Sequence, residues 1–268
     1  MEHCIGRSLL SQRVKVHLVG VGGNGAQMAN CLARLDIAIR ALGHPYGLHV
    51  TAFDGDRVSE SNVGRQIYSP ADVGLHKAVV TIHRLNQYFG LDWDAVPRHY
   101  EASLATDHGG GPSIVISCVD SARSRRDLHR NLFQRGSRAT YWLDLGNSAD
   151  SGQFVLGQPL NGRNRRSMDR LRTAPEVFPE LSDESLDATD GPSCSAAEAL
   201  ERQEPFVNQT LAQHALALLT RLFRYGRIDH HGAFVNVAQN RVQPLAISPT
   251  LWSNMRRRGR RFLKNVAA

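Results

Sequence analysis

The chain has 268 residues, enough for one large domain with a real core, and 41% hydrophobic and 21% charged residues place it among ordinary globular proteins rather than disordered ones. No stretch approaches the ~20 apolar residues of a membrane-spanning helix, and the start Met1-Glu2-His3-Cys4 lacks the basic-then-apolar pattern of a signal peptide, so the sequence predicts a cytoplasmic protein without membrane contact. The net charge of +7 would suit a polyanion binder, but Arg256, Arg257, Arg258, Arg260, Arg261 and Lys264 carry six of those charges, and removing them leaves +1.

Val14–Val19 is a β-branched run ending in glycines and reads as a buried strand. Met28, Cys31, Leu32, Leu35, Ile39 and Leu42 then recur at helical spacing, and Gly43 and Pro45 end that helix. Leu48–Phe53 is the next strand, followed by Asp54-Gly55-Asp56. Val79, Val80, Ile82, Leu85 and Phe89 predict a helix over 76–89. Residues 113–119 read as a strand, 124–134 as a helix and 141–145 as a strand. Strands alternating with helices predict a Rossmann-like α/β fold, a mainly parallel sheet with helices on both faces.

The pattern changes after Gly157. Arg163, Arg165, Arg166, Arg170 and Arg172 against Asp169 give +4, and Glu176, Glu180, Asp183, Glu184, Asp187 and Asp190 then give −6. This segment predicts a long exposed loop, a crossover of about 158–193. Helical spacing resumes over 195–224, with Leu200, Phe206, Val207, Leu211, Ala215, Leu218 and Leu222 as core candidates. Residues 235–237 and 242–247 predict a closing antiparallel hairpin. The expected organisation is one domain over 1–255 and a basic tail over 256–268.

Gly20-Val21-Gly22-Gly23-Asn24-Gly25 joins the first strand to the first helix. Glycines let the backbone turn sharply and approach a phosphate, while the helix N-terminus offers unpaired N–H groups and partial positive charge. The motif alone does not choose between a dinucleotide and ATP. Asp54, 29 positions after Gly25, is placed to accept hydrogen bonds from ribose hydroxyls, although about 20 is the usual spacing. Asn62-Val63-Gly64-Arg65-Gln66 and Gly74-Leu75-His76-Lys77 follow. Arg65 and Lys77 would face a triphosphate, whereas a redox dinucleotide needs no such clamp. Asp120 follows an apolar strand at the end where α/β sheets bind ligands and is the candidate Mg²⁺ ligand, with Ser121 beside it and Arg125 five residues on.

Taken in order, Gly-x-Gly-Gly-x-Gly, Asp-x-Asp, Asn-x-x-Arg-Gln, Gly-x-x-Lys and Cys-Val-Asp-Ser with a downstream arginine resemble the ThiF/MoeB/E1 superfamily and, within it, the ThiF-related proteins of PRTRC cassettes. The resemblance covers about 14–157 well and 191–225 more loosely. It implies the ThiF/E1 adenylation fold, with a C-terminal helix and antiparallel strands, and a reaction in which the C-terminal carboxylate of a small ubiquitin-like (β-grasp) protein is adenylated by ATP with Mg²⁺. It implies that Asp54 and Asp56 lie at the nucleotide, that Asn62, Arg65, Gln66 and Lys77 serve its phosphates, that Asp120 serves the metal and reacting centre, and that the enzyme is a homodimer.

Cys194 closes the acidic segment just before Ser195-Ala196-Ala197-Glu198, a capping box. A thiol at a helix N-terminus ionises more easily, and the resemblance implies Cys194 as the acceptor of the acyl group, with an inert cysteine at a helix start as the alternative. Cys4, Cys31 and Cys118 form no C-x-x-C pair with it or each other, so no zinc site is expected. An NAD-dependent oxidoreductase would use the same glycine turn but would leave Arg65, Lys77 and Asp120 without a shared purpose. A nucleic-acid-binding component, or a nucleic-acid or protein contact made by the basic tail of an enzyme, is the further reading that the 256–264 run supports.

Overall fold

The computed structural model describes residues 1–64, 66–101, 111–165, 167, 169–186 and 204–266. An eight-stranded sheet organises the chain. Its first half is parallel: β2 (Val14–Val19) pairs with β3 (Leu48–Phe53) on one side and β5 (Ile114–Ser117) on the other, β3 pairs with β4 (Asp94–Val96), and β5 with β6 (Tyr141–Asn147). Its second half is antiparallel: β6 pairs with β7 (Ser151–Gly157), β7 with β9 (His230–Asn236) and β9 with β10 (Arg241–Ala246). The order is β10-β9-β7-β6-β5-β2-β3-β4. A small second sheet joins β1 (His3–Cys4) to β8 (Arg227–Ile228), and a short helix α1 (Ser8–Ser11) follows β1.

β2, β3 and β5 are buried on both faces almost throughout; β5 is apolar up to its final Ser117, while β2 and β3 also carry buried His17 and Thr51 and half-buried Lys15 and His49. Leu18, Ile114, Ile116 and Leu143 share one core cluster with the buried faces of α2 (Gly23–Ala41), α3 (Lys77–Phe89) and α6 (Val207–Tyr225). The other face takes α4 (Ala122–Leu132), whose Leu128 and Leu132 meet Val19, Val115 and Trp142. Chain order reverses between β2 and β5, so helices leave to opposite faces and a crevice opens at the carboxyl ends of these strands.

The α/β architecture agrees with the sequence reading; some details differ. Leu42, Val79 and Phe206 are exposed rather than core. Leu42 caps the C-terminus of α2 and Phe206 precedes the first turn of α6, so neither sits on the packed stripe. Val79 and Val80 are neighbours about 100° apart on a helix with one buried face, and Val80 takes it.

Part of the segment read as an exposed loop is built into the core; residues 166, 168 and 187–193 lie outside the described residues. Leu171, Thr173, Ala174, Val177 and Phe178 are buried around α5 (Ala174–Val177) and the 3₁₀ turn Pro179–Ser182. One pair of its opposite charges meets inside: buried Arg170 donates to Glu176 at 2.5 and 2.8 Å, and Glu176 accepts the Thr173 N–H at 2.9 Å as a capping box. These bonds let a charged stretch lie against apolar neighbours. The basic run belongs to a helix, α7 (Pro249–Val266), that begins before it. The predicted helix start at Ser195, Cys194 and core candidate Leu200 lie outside the described residues.

Candidate active site

The glycine turn leaves β2 through Gly20, in the left-handed region at φ +85°, and enters α2 with Gly22 as N-cap. A side chain at Gly25 would overlap the Gly20 carbonyl, so only glycine allows this close crossing. Asp54, at the end of β3, locks the turn: its Oδ2 accepts the Val21 N–H at 2.6 Å and its Oδ1 accepts the Asp56 N–H at 2.8 Å. Burial pushes the Asp54 carboxyl above the usual range, opposed by these two N–H donors and by Lys77. Lys77 opens α3 with its stem buried and its Nζ 3.1 Å from Asp56 Oδ2. Tyr68 braces the turn from below, donating to the Val21 carbonyl at 2.6 Å.

These groups face a cleft of about 1360 Å³ lined by Gly20, Gly22, Gly23, Asp54, Asp56, Gln66, Lys77, Asp120 and Arg125. Asp120 is exposed and three residues past the end of β5, just beyond Cys118, whose N–H donates to Val19 O at 2.8 Å. Parallel pairing explains the convergence, because β2, β3 and β5 all end at one edge. Gly25 lies behind the turn. Asn62 is buried outside the cleft lining, and its Oδ1 accepts the Ser59 N–H at 3.0 Å. Ser121 caps α4, its Oγ accepting the Ser124 N–H at 3.2 Å, and it does not line the cleft. Arg65 and Cys194 lie outside the described residues.

Arg125 has a structural commitment. Its Nε lies 3.2 Å from Asp144 Oδ2, and its Nη2 donates to Val119 O at 2.7 Å and Leu145 O at 3.3 Å. Asp144 also accepts Ser117 Oγ at 2.5 Å, and Trp142 Nε1 donates to that Oγ at 2.7 Å. The network pins the ends of β5 and β6 to α4 and fixes the backbone next to Asp120.

The sequence reading missed an amide cluster at the start of α2. Asn24 Nδ2 donates to Asn147 Oδ1 at 2.6 Å. Asn208, from the first turn of α6, packs its amide on Gly23, where any side chain would collide with it. The Asn208 Nδ2 and Gln66 Oε1 atoms are buried without a partner and belong to cleft-lining residues. A buried polar atom left unpaired costs free energy, which makes it a candidate ligand contact. Beyond these amides the cleft continues over the antiparallel strands, past Gln153, Phe234, Asn236, Arg241 and Gln243. Arg123 adds a further exposed cation to the lining. Near Asp54 an aromatic wall forms where Tyr100 meets Phe53 edge-on at 4.9 Å. Among the described residues, no group of three or more His, Cys, Asp or Glu is placed to hold a metal ion, and no helix is long and apolar enough to cross a membrane.

Residues 8–254 match the ThiF family, and the chain belongs to it. Among curated proteins it is similar to ubiquitin-like modifier-activating enzyme 5 of Oryza sativa subsp. japonica, 24% identical over 54% of this chain and 35% of that protein. The enzyme of the same name from Culex quinquefasciatus is 26% identical over 54% of this chain and 37% of its own length. The chain thus spans about a third of the length of these relatives. Among solved structures, PaaA superposes with a TM-score of 0.60 at 17% identity, covering 89% of this chain and 65% of PaaA. Escherichia coli MccB, solved with AMPCPP and MccA, superposes with a TM-score of 0.58 at 17% identity over 90% of this chain and 66% of MccB. These likenesses show the shared adenylation fold.

Proposed function

We propose that the chain catalyses ATP-dependent adenylation of the C-terminal carboxylate of a small ubiquitin-like protein. One observation carries the reading: the glycine turn, Asp54, Lys77 and Asp120 share a single cleft that continues onto the antiparallel strands. One arm suits a nucleotide, and the other has room for an extended peptide end. MccB, whose fold this chain shares, was solved with ATP, and the curated relatives carry a ubiquitin-like modifier-activating name.

ATP fits the donors present. The N-terminus of α2 and the unpartnered Asn208 Nδ2 supply N–H groups for phosphate oxygens. Asp54 retains lone pairs for ribose hydroxyls beyond those given to Val21 and Asp56. Lys77 stands at the triphosphate end, with Arg65 as the second cation. A carboxylate oxygen of the partner attacks the α-phosphorus, the bond to the bridging α–β oxygen breaks, and pyrophosphate leaves with that electron pair. The chain's part is positioning and charge stabilisation, which supply most of the rate in phosphoryl chemistry. Mg²⁺ is commonly held by one or two carboxylates plus substrate phosphates, a role that suits exposed Asp120, and the ion would neutralise phosphate charge there. Cys194 is proposed to take the acyl group as a thioester, releasing AMP.

The test is ATP–pyrophosphate exchange by the full chain with candidate small β-grasp proteins. Exchange that requires one partner's C-terminal glycine, and that Asp120→Ala abolishes in a folded protein, is the expected result. Near-normal exchange by folded Asp120→Ala would overturn the assignment. A covalent partner adduct lost on adding thiol reductant, and absent from Cys194→Ser, tests the second step separately.

A further inference from the structure

Much of the apolar side of α7 packs on the core, with Phe262 left exposed near its end. Trp252 is buried and donates its Nε1–H to His231 Nε2 at 2.7 Å, Met255 packs against the same cluster, and buried Gly259 lies over Pro179 and the Glu180 carboxylate. At 100° per residue these three positions fall on one side of the helix. The opposite arc carries Arg256, Arg257, Arg258, Arg260, Arg261 and Lys264, all exposed, along about 12 Å of axis. The helix contains no acid. Among the described residues no α7 cation is ion-paired; Glu176 is engaged by Arg170 and Glu184 by Arg126, and Glu180 lies under Gly259 on the inner side of the helix without an ion pair to the outer cations. Arg257 donates to Asn254 Oδ1 at 2.7 Å, which leaves the guanidinium charge unneutralised.

We propose that the outer face of α7 binds nucleic acid through its phosphate backbone, without sequence preference. This proposal does not depend on the adenylation reading. Five of the six cations are arginines, whose planar fork matches phosphate oxygens. An unbroken arc of one sign suits a repeating anion, and duplex DNA presents one charge per ~1.7 Å of axis. A membrane surface fits less well, because a membrane-bound helix needs a broad free apolar side, and here Trp252, Met255 and Gly259 pack inward and leave Phe262 as the exposed large apolar residue of the helix. Contacts to phosphate oxygens position a protein on nucleic acid without carrying sequence information. The cations stand outside the cleft. Only Leu181, on the 3₁₀ turn beneath α7, reaches it, so nucleic acid bound to α7 leaves the cleft open.

The experiment is fluorescence anisotropy of a labelled duplex of about 20 base pairs, of arbitrary sequence, titrated with the full chain at several NaCl concentrations. Contact with four to six phosphates gives a slope of log K against log[salt] of about −4 to −5. Replacing Arg257, Arg260, Arg261 and Lys264 together by Gln should weaken binding at least tenfold at low salt and make the slope shallower by about 3 to 4. The single changes Arg257→Gln and Arg261→Gln, which expose no core, should each make it shallower by about 1. A wild-type slope in these variants overturns the proposal. So does binding of phosphatidylglycerol vesicles or polyglutamate as tight as that of the duplex at equal charge concentration.

Discussion

Asp54 accepts the backbone N–H of Val21 across 33 residues of chain, joining the end of β3 to the glycine turn with one 2.6 Å bond. The acid read as a ribose ligand therefore also holds the phosphate turn in shape. Asp54→Ala leaves the buried Val21 N–H without an acceptor and should cost about 1–3 kcal/mol, seen as a lower urea midpoint. Asp54→Asn keeps one acceptor oxygen and should lose less stability. Both should weaken ATP binding by equilibrium titration. An Asp54→Ala protein of wild-type stability would refute the double role.

The nucleotide class can be read from stability alone. A ligand that binds only the folded state at 100 times its Kd adds about 2.7 kcal/mol. Mg-ATP should raise the thermal midpoint and NAD should leave it unchanged. The reverse pattern would favour a redox enzyme.

Asp144 is fully buried against Arg125; Asp144 accepts the Ser117 hydroxyl, and Arg125 donates to the Val119 carbonyl beyond the end of β5. Removing one member of a buried pair strands the other charge, so Asp144→Ala should cost about 3–5 kcal/mol in urea unfolding. The same change frees the Val119 carbonyl from a rigid donor and should lower exchange in whatever protein remains folded.

His231 sets an acid limit. Its Nδ1 donates to Leu156 O at 2.9 Å and its Nε2 accepts from Trp252, so the neutral ring is fully satisfied. Burial pushes its pKa down to about 4. Between that value and the ordinary 6.5 the unfolded chain takes up the proton and the folded chain does not. The stabilising contribution is therefore complete above pH 6.5 and declines as pH falls, by about 1.4 kcal/mol per unit and roughly 3 kcal/mol in all by pH 4. Urea midpoints at pH 7.5 and 4.5 measure the step, and His231→Gln should flatten it. An undiminished step in that variant would assign the acid sensitivity elsewhere.

Local signals carried most of the site. Strand runs, the glycine turn and the carboxylates that end β3 and β5 are each short-range patterns, and parallel pairing brings them together. The amide cluster was hidden because Asn208 reaches Gly23 from a distant helix, and no sequence period relates them. The Arg125–Asp144 pair was half visible, since the arginine was noticed but its partner lies inside an apolar strand. The charged segment after Gly157 was misjudged because composition counts charges but does not pair them. Arg170 with Glu176 makes a buried turn out of residues that alone would stay in water.

The packing of α2 on α6 has a consequence for synthesis. The helix that the phosphate turn opens is packed against one made roughly 180 residues later, an interval on the order of 10–40 s at ribosomal elongation rates. Until α6 emerges, the side of α2 that packs on it has no cover and the amide of Asn208 is missing from the turn. A nascent chain therefore carries every short motif of the nucleotide site well before it can form that site, and during this interval chaperones can engage the exposed α2 face.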